Sequence, residues 1–300
     1  MKILISGSSG LVGKTLTTVL REEGHTVVRL VRPGGTLSAG DVSWDPMAAS
    51  MDTASLEGTD AVVHLSGASI ADGRWTPARK ALLRSSRIDT TRVLVDSLGN
   101  LRAKPWVLVC ASATGYYGDR GDEILTESSS TGADFLALLA RDWEAEASRA
   151  EMSGIRTAIL RFGLILSKDG GALPRMLLPF RLGLGGRFGT GDQWMSWIAL
   201  EDAVAIVRSA IADARFSGAW NVVAPNPVRN SEFTQILAGA LHRPAMFPVP
   251  AFALRMILGD MADSLLLASQ RAIPARLAAM QYRFRFETLE AALQAVVAKD

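Results

Sequence analysis

Short apolar runs alternate along the chain with stretches in which apolar residues recur every three to four positions. The first such pair sets the pattern. Ile3 to Ile5 form an apolar run of β type that stops at Gly7. Gly10 and Gly13 follow at three-residue steps, and Leu11, Val12, Leu16, Val19 and Leu20 repeat with helical period up to Gly24. This is the order strand, tight turn, helix. The three glycines differ in what they do physically. Gly7 turns the chain off the strand, Gly10 leaves room for a pyrophosphate, and Gly13 lets the helix lie close to the sheet. A helix N-terminus there offers N–H groups and a positive dipole end to phosphate. The spacing is G-x-x-G-x-x-G, one residue wider than G-x-G-x-x-G.

The same rhythm continues. Strands are expected at Thr26 to Val31, around Val42 to Trp44, at Asp60 to Leu65, Pro105 to Cys110 and Arg156 to Leu160. Helices are expected at Arg79 to Leu98 and Phe135 to Glu151. Strands alternating with helices through about residue 165 predict an α/β fold: a Rossmann-type, doubly wound parallel sheet. Beyond it the rhythm breaks, with glycines at 170, 171, 183, 185, 186, 189 and 191 marking loops. Met195 to Ile198 and Gly218 to Val223 read as strands, and Glu201 to Ala212 as a helix. Ser231 is a candidate cap for a helix through Leu241, residues 252 to 268 and 288 to 298 look helical, and Tyr282 to Phe286 looks like a strand between them. The expected division is a nucleotide-binding domain over 1–165, rejoined by 192–224. Residues 166–191 and 225–300 would form a smaller, discontinuous α+β lobe that caps it.

Composition narrows the class. Three hundred residues with 48% hydrophobic and 21% charged side chains suit a globular chain with a full core. A net charge of +2 argues against a nucleic-acid partner. The single cysteine, Cys110, excludes an intramolecular disulfide and fits a reducing compartment. Arg255 and Asp260 interrupt the best apolar stretch, and Ile3 to Ile5 is too short for a signal peptide, so a cytoplasmic location is expected. His25, His64 and His242 lack metal-ligand spacing, so no metal is expected. His64, inside a strand, reads as a core residue rather than a catalyst.

The coenzyme can be read further. An acidic residue after the second strand would bond the ribose hydroxyls of NAD. No Asp or Glu stands between Thr26 and Gly40; Arg29 and Arg32 stand there instead. Arg32 could pair with a 2′-phosphate, which favours NADP over NAD. Candidate contacts are Gly7, Ser9, Gly10, Leu11, Val12 and Gly13 in the turn, with Arg32. Leu65, Ser66, Gly67 and Ala68 follow the fourth strand, and Ala111 and Ser112 the fifth. Trp44 and Asp45 either border an adenine pocket or, for Trp44, belong to the core.

With these pieces in place the chain resembles an extended short-chain dehydrogenase/reductase. Gly7-x-x-Gly10-x-x-Gly13 matches that family's coenzyme turn, Ser112 to Gly118 resembles its catalytic serine segment, and Ser196 to Asp202 its later strand-and-helix signature. It is similar in more detail to an atypical branch described as sugar-nucleotide epimerase-like or cell-division-inhibitor-like. The stretches Gly115 to Glu123, Asp142 to Glu144, Gly183 to Gly186, Gln193 to Trp197 and Ser269 to Pro274 carry that likeness. Ala199 departs from a histidine common in the branch, and Gln281 from a glycine.

The resemblance implies NADP(H) chemistry on a small substrate, a nucleotide sugar or a carbonyl compound, in a monomer or homodimer with no membrane partner. The wider family uses a tyrosine with a lysine four residues on. A tyrosine near pKa 10 must fall by about 3 units to act at neutral pH, roughly 4 kcal/mol. Here the three tyrosines, Tyr116, Tyr117 and Tyr282, are followed at that spacing by Arg120, Gly121 and Phe286. Two readings stand: an epimerase or oxidoreductase using Ser112 with Tyr116 or Tyr117, with Glu144, Arg161 and Gln193 as candidate substrate contacts, or a coenzyme-binding sensor. A third is an interaction protein with an arginine-bearing C-terminal face (Arg271, Arg276, Arg283 and Arg285).

Overall fold

The computed structural model describes residues 1–46, 51 and 53–297. The chain opens with β1 (Lys2–Ser6), α1 (Leu11–Glu22), β2 (Thr26–Val31), β3 (Val42–Ser43) and β4 (Ala61–His64). Then come α2 (Pro77–Ser85), α3 (Ile88–Gly99), β5 (Val107–Ala113), β6 (Ile124–Leu125), α4 (Phe135–Ser148), β7 (Arg156–Phe162) and β8 (Leu164–Leu166). Next are α5 (Leu173–Arg181), β9 (Trp194–Met195), β10 (Trp197–Ala199), α6 (Leu200–Ala212), β11 (Gly218–Val222), β12 (Val228–Arg229) and α7 (Asn230–Ala240). The chain closes with α8 (Ala251–Leu258), α9 (Asp260–Ala262), β13 (Arg271–Ala272), α10 (Ala275–Ala279) and α11 (Leu289–Val297).

Seven strands form one parallel sheet in the order β11-β7-β5-β4-β1-β2-β3. Alternation along the central strands feeds two cores. Ile3, Ile5, Val63, Val109 and Leu160 point to the face covered by α1 and α6. Leu4, Val62 and Leu108 point to the other, against Leu94, Val95 and Leu98 of α3. Ile3, Leu4 and Ile5 are wholly buried, each worth roughly 1.5–3 kcal/mol of transfer free energy. A parallel sheet covered on both faces requires this near-continuous apolar run. The chain leaves β1 towards β2 and returns on the other side at β4, so strand order reverses between these neighbours. In open α/β sheets ligands bind in the crevice at that point.

A further core, built on Leu173, Leu177, Phe180, Trp197, Phe233, Leu237, Leu289 and Leu293, belongs to the smaller C-terminal lobe. Ser269 to Ile273 ties this part of the chain to the loop after Tyr117, to β6 and to the junction of β9 and β10. Ser269 N–H donates to Asp119 Oδ1 (3.0 Å) and Ala272 N–H to Ser196 Oγ (2.8 Å), while β13 pairs in parallel with β6. Three of the stretches that carry the family likeness thus meet.

Several expected elements differ. The helix expected over Arg79 to Leu98 is two, broken at Ser86 and Arg87. The one expected over Phe135 to Glu151 ends at Ser148 and continues as 3-10 helix through Ser153. Residues 252 to 268 break at Gly259, whose φ of +62° belongs to the left-handed region. Arg229, not Ser231, occupies the cap position of α7. Tyr282 to Phe286 is not a strand. Its side chains do alternate, but the N–H groups of Arg285 and Phe286 go to the Asp202 carboxylate (2.8 and 3.0 Å) instead of a ladder. Gln281, where the related branch often has glycine, has φ +56°, a conformation glycine adopts without strain.

Candidate active site

The turn after β1 is built to admit an anion. Gly7 has φ +72°, and a Cβ there would lie 2.7 Å from the Leu65 carbonyl group. A Cβ on Gly13 would lie 2.2 Å from Gly7 O, so α1 sits against the turn as only glycine permits. Gly10 caps α1 without a side-chain bond, and no acidic residue stands in the first turn. The first-turn N–H groups and the positive end of α1 therefore meet nothing that competes with a phosphate. These residues fit a dinucleotide pyrophosphate.

The other candidate coenzyme residues differ in exposure, and Leu65 and Ser66 lie against the turn. Leu65, Ser66 and Ala68 are half-buried beside it, Gly67 and Ser9 are exposed, and Arg32 is exposed just past β2. Arg29 is taken by Asp41, with Nε donating to Oδ1 at 3.0 Å, and that guanidinium holds the Asp41 carboxyl below the usual carboxylate range. Trp44 lies in the core among Leu4, Val28 and Leu56, tilted against His64, while Asp45 is half-buried. Beneath the turn, His64 is wholly buried. Thr91 Oγ1 donates to the Arg87 carbonyl (2.5 Å), so it accepts from Trp143 Nε1 (2.9 Å) and from His64 Nε2 (2.9 Å). His64 Nδ1 then accepts from Ser6 Oγ (2.6 Å). Burial pushes the imidazole down to about 4, so it stays neutral in this tautomer.

Along the sheet, β5, β7 and α4 assemble a buried polar cluster. Ser112 Oγ donates to Glu144 Oε1 at 2.6 Å. Arg161 grips the same carboxylate as a fork, Nε to Oε1 at 2.9 Å and Nη2 to Oε2 at 2.8 Å. Burial alone would lower the Arg161 pKa, yet its bonds to Glu144 outweigh this and hold it above the ordinary value. Arg161 Nη1 donates to the Tyr117 hydroxyl (3.0 Å), whose proton is shared between Asn221 Oδ1 (2.7 Å) and the Thr126 carbonyl (3.0 Å). Tyr117 is wholly buried, which raises its pKa. Tyr116 is half-buried, with its ring 3.5 Å from the Arg161 Cζ and edge-on to Tyr117.

Of the sequence candidates, then, Ser112, Tyr116, Tyr117, Glu144 and Arg161 come together, with Ala111 half-buried beside them on β5. Gln193 does not join them: its Nε2 donates to the Phe188 and Leu266 carbonyls (3.2 and 2.8 Å). Sequence reasoning missed Asn221, which anchors Tyr117 from β11. It also missed Gln270, whose Oε1 accepts from Thr114 Oγ1 at 2.9 Å, two residues past Ser112. Only the position of Gln270 inside the Ser269 to Pro274 likeness could have flagged it.

A seven-stranded parallel sheet in this order, with a glycine turn of phosphate-binding geometry at its switch point, defines a Rossmann-type protein of the extended dehydrogenase/epimerase kind. The model of the NAD dependent epimerase/dehydratase family matches residues 3–222, and that of a domain of unknown function, DUF1731, matches residues 249–296. The chain belongs to the NAD dependent epimerase/dehydratase family. It is 43% identical over 291 residues to the epimerase family protein Mb2239 of Mycobacterium bovis, covering 97% of this chain and 96% of that one. It is 36% identical over 303 residues to the human epimerase family protein SDR39U1, covering 99% and 100%. The crystal structure of human SDR39U1 (isoform2) with NADPH superposes with a TM-score of 0.90 at 31% identity over the whole of both chains. A UDP-glucuronic acid 4-epimerase from Bacillus cereus, with UDP-glucuronic acid and NAD, shares the fold at 16% identity and a TM-score of 0.78, covering 99% of this chain and 98% of that one. Among the described residues no helix is long and apolar enough to cross a membrane.

Proposed function

We propose that the protein binds NADP(H) at the Gly7 to Gly13 turn and transfers hydride to or from a small alcohol or carbonyl substrate, a nucleoside-diphosphate sugar being the class the family suggests. One observation carries the reading: the turn has no room for a side chain and no acid in the first turn of α1. When bound, the nicotinamide supplies or accepts the hydride.

The chain's own residues handle the proton. With its hydrogen directed at Glu144, Ser112 Oγ keeps acceptor capacity for a substrate hydroxyl. When an alcohol is oxidised, the C–H bond breaks with its electron pair. The hydroxyl proton moves to Ser112 Oγ as the serine's own proton crosses to Glu144 Oε1; reduction runs the same path backwards. Arg161 positions Glu144 through its two bonds, and Tyr116, stacked on Arg161, borders the cluster. Tyr117, committed to Asn221 and Thr126, is a positioning residue in this reading. A second reading, a coenzyme-responsive sensor or a cell-division-related binding protein, draws on the mutual saturation of Ser112, Glu144, Arg161 and Tyr117 and on the missing tyrosine–lysine pair.

Calorimetric titration with NADPH and NADH tests the coenzyme claim. Tighter NADPH binding is expected, and Arg32→Ala should erase most of the difference; equal affinities in the unmutated protein refute the role of Arg32. Loss of NADPH absorbance with a panel of carbonyl compounds and nucleotide sugars tests turnover. The pair Ser112→Ala and Tyr116→Phe should abolish it with coenzyme affinity nearly intact. Coenzyme binding with no turnover across the panel favours the sensor.

A further inference from the structure

Two arginines among the described residues are buried, Arg161 at 4% exposure and Arg87 at 8%. Arg161 has the Glu144 carboxylate. Arg87 has none: Nη2 donates to the Ala68 carbonyl (3.0 Å), Nη1 to the Leu83 carbonyl (3.3 Å), and Cζ lies 5.3 Å from the Trp143 ring centroid. Two neutral oxygens and a ring hold a full positive charge out of water. Burying an ion without a partner costs several kcal/mol, so such a charge is not kept for packing alone. Burial lowers the Arg87 pKa to about 10, and the nearby Arg79 charge lowers it further.

Its position says where a countercharge would sit. The guanidinium lies directly against Gly67: a Cβ there would be 3.0 Å from Arg87 Cζ, 3.1 Å from Nη2 and 3.3 Å from Nε. Gly67 and Ala68 continue the chain past β4, which pairs with β1. The first residues of that connection, Leu65 and Ser66, are the backbone against which the Gly7 turn presses. The buried cation thus lies against Gly67 and Ala68 of the same connection whose first residues, Leu65 and Ser66, touch the phosphate-type turn. The turn itself, Gly7-Ser-Ser-Gly-Leu-Val-Gly13, contains no charged residue.

We propose that Arg87 is a coenzyme-binding residue. Its guanidinium is the countercharge for the dinucleotide's diphosphate and, through the Ala68 carbonyl, fixes the loop that faces it. The inference rests on the NADP(H) reading above. In the free protein the charge is a burden; with the coenzyme bound it is balanced. Removing it should therefore weaken affinity without lowering stability, whereas a structural clamp would lose both.

The experiment uses the full chain with Arg87→Met, which keeps the bulk and drops the charge, and Arg87→Gln, which can still donate a hydrogen bond. For each, the melting temperature without ligand and the Kd for NADPH and for NADH are measured. The expected result is an unchanged or higher melting temperature. Both coenzymes should bind at least tenfold more weakly, a loss of ~1.4 kcal/mol. Arg87→Gln decides the matter if Arg87→Met does not fold. Wild-type affinity for NADPH in a folded variant overturns the assignment, as does a loss confined to NADPH, which would make the 2′-phosphate the partner. Wild-type protein that binds neither coenzyme overturns the NADP(H) reading together with this one.

Discussion

Glu144 is the point at which the candidate site can be broken with a calculable result. Its side chain is 10% exposed and that of Arg161 5%. Three donors converge on the carboxylate: Ser112 Oγ and Arg161 Nε on Oε1, and Arg161 Nη2 on Oε2. Glu144→Gln turns one of these oxygens into an amide nitrogen, so a donor faces a donor whichever way the amide is turned. It also leaves Arg161 buried with no countercharge. Breaking one side of a buried ion pair costs ~3–5 kcal/mol. Arg161→Met should cost a similar amount by stranding the carboxylate. The double variant Glu144→Gln with Arg161→Met strands neither charge. It should therefore be less destabilised than either single change and far from their sum, with a coupling of about 2–3 kcal/mol. Urea unfolding followed by tryptophan fluorescence reads this directly, because Trp143 adjoins Glu144. A cost below ~1 kcal/mol for Glu144→Gln, or a double variant at the sum of the singles, would refute the tight pair and with it the positioning role given to Arg161.

Two further outcomes follow from the Gly7 turn and from the strand that carries His64. Gly13→Ala places a methyl 2.2 Å from Gly7 O and must push α1 off the turn; a loss of ~1–3 kcal/mol in stability and of at least tenfold in NADPH affinity is expected. Unchanged affinity by calorimetry would remove the turn from the site. His64 makes stability depend on pH: its folded pKa is about 4 against an ordinary 6.5. Between those values the unfolded chain takes up a proton that the folded one refuses, so stability falls as pH falls through this window. The gap, at 1.36 kcal/mol per pH unit, is ~3 kcal/mol. Urea midpoints from pH 7 to 4.5 should drop more steeply in the wild type than in His64→Gln, and equal slopes would contradict the buried neutral ring.

What could be read from the sequence was what short periodicities encode. The apolar run Ile3 to Ile5, the glycine steps and the following helix repeat define β1, the turn and α1, and the later runs define the remaining central strands. Failures came where tertiary partners overrule local pattern. Tyr282, Phe284 and Phe286 alternate like a strand because their rings enter two cores, yet their backbone is satisfied by Asp202. α5 was missed because the glycines on either side of it, at 170, 171, 183, 185 and 186, read as loop markers; its Pro174 stands in the first turn, where a missing N–H costs nothing. The cofactor turn was visible because its residues are neighbours. Ser112 and Glu144 are 32 positions apart, and nothing in either local pattern announces their bond. Arg87 was not visible at all. One arginine on a helical stretch looks solvated until the fold buries it.

The segment Ser269 to Ile273 has a consequence for how the protein comes into being. It lies between the loop that follows Tyr117 and Ser196 at the junction of β9 and β10, stitched to both. A nascent chain can close the sheet once β11 has emerged, but the bond of Gln270 to Thr114, two residues past Ser112, must wait for some fifty residues more. The surroundings of Ser112 are thus completed late, when a segment made after the sheet is drawn back across strands already formed. Until then Asp119, Ser196 and Thr114 lack the partners that this later segment brings to them.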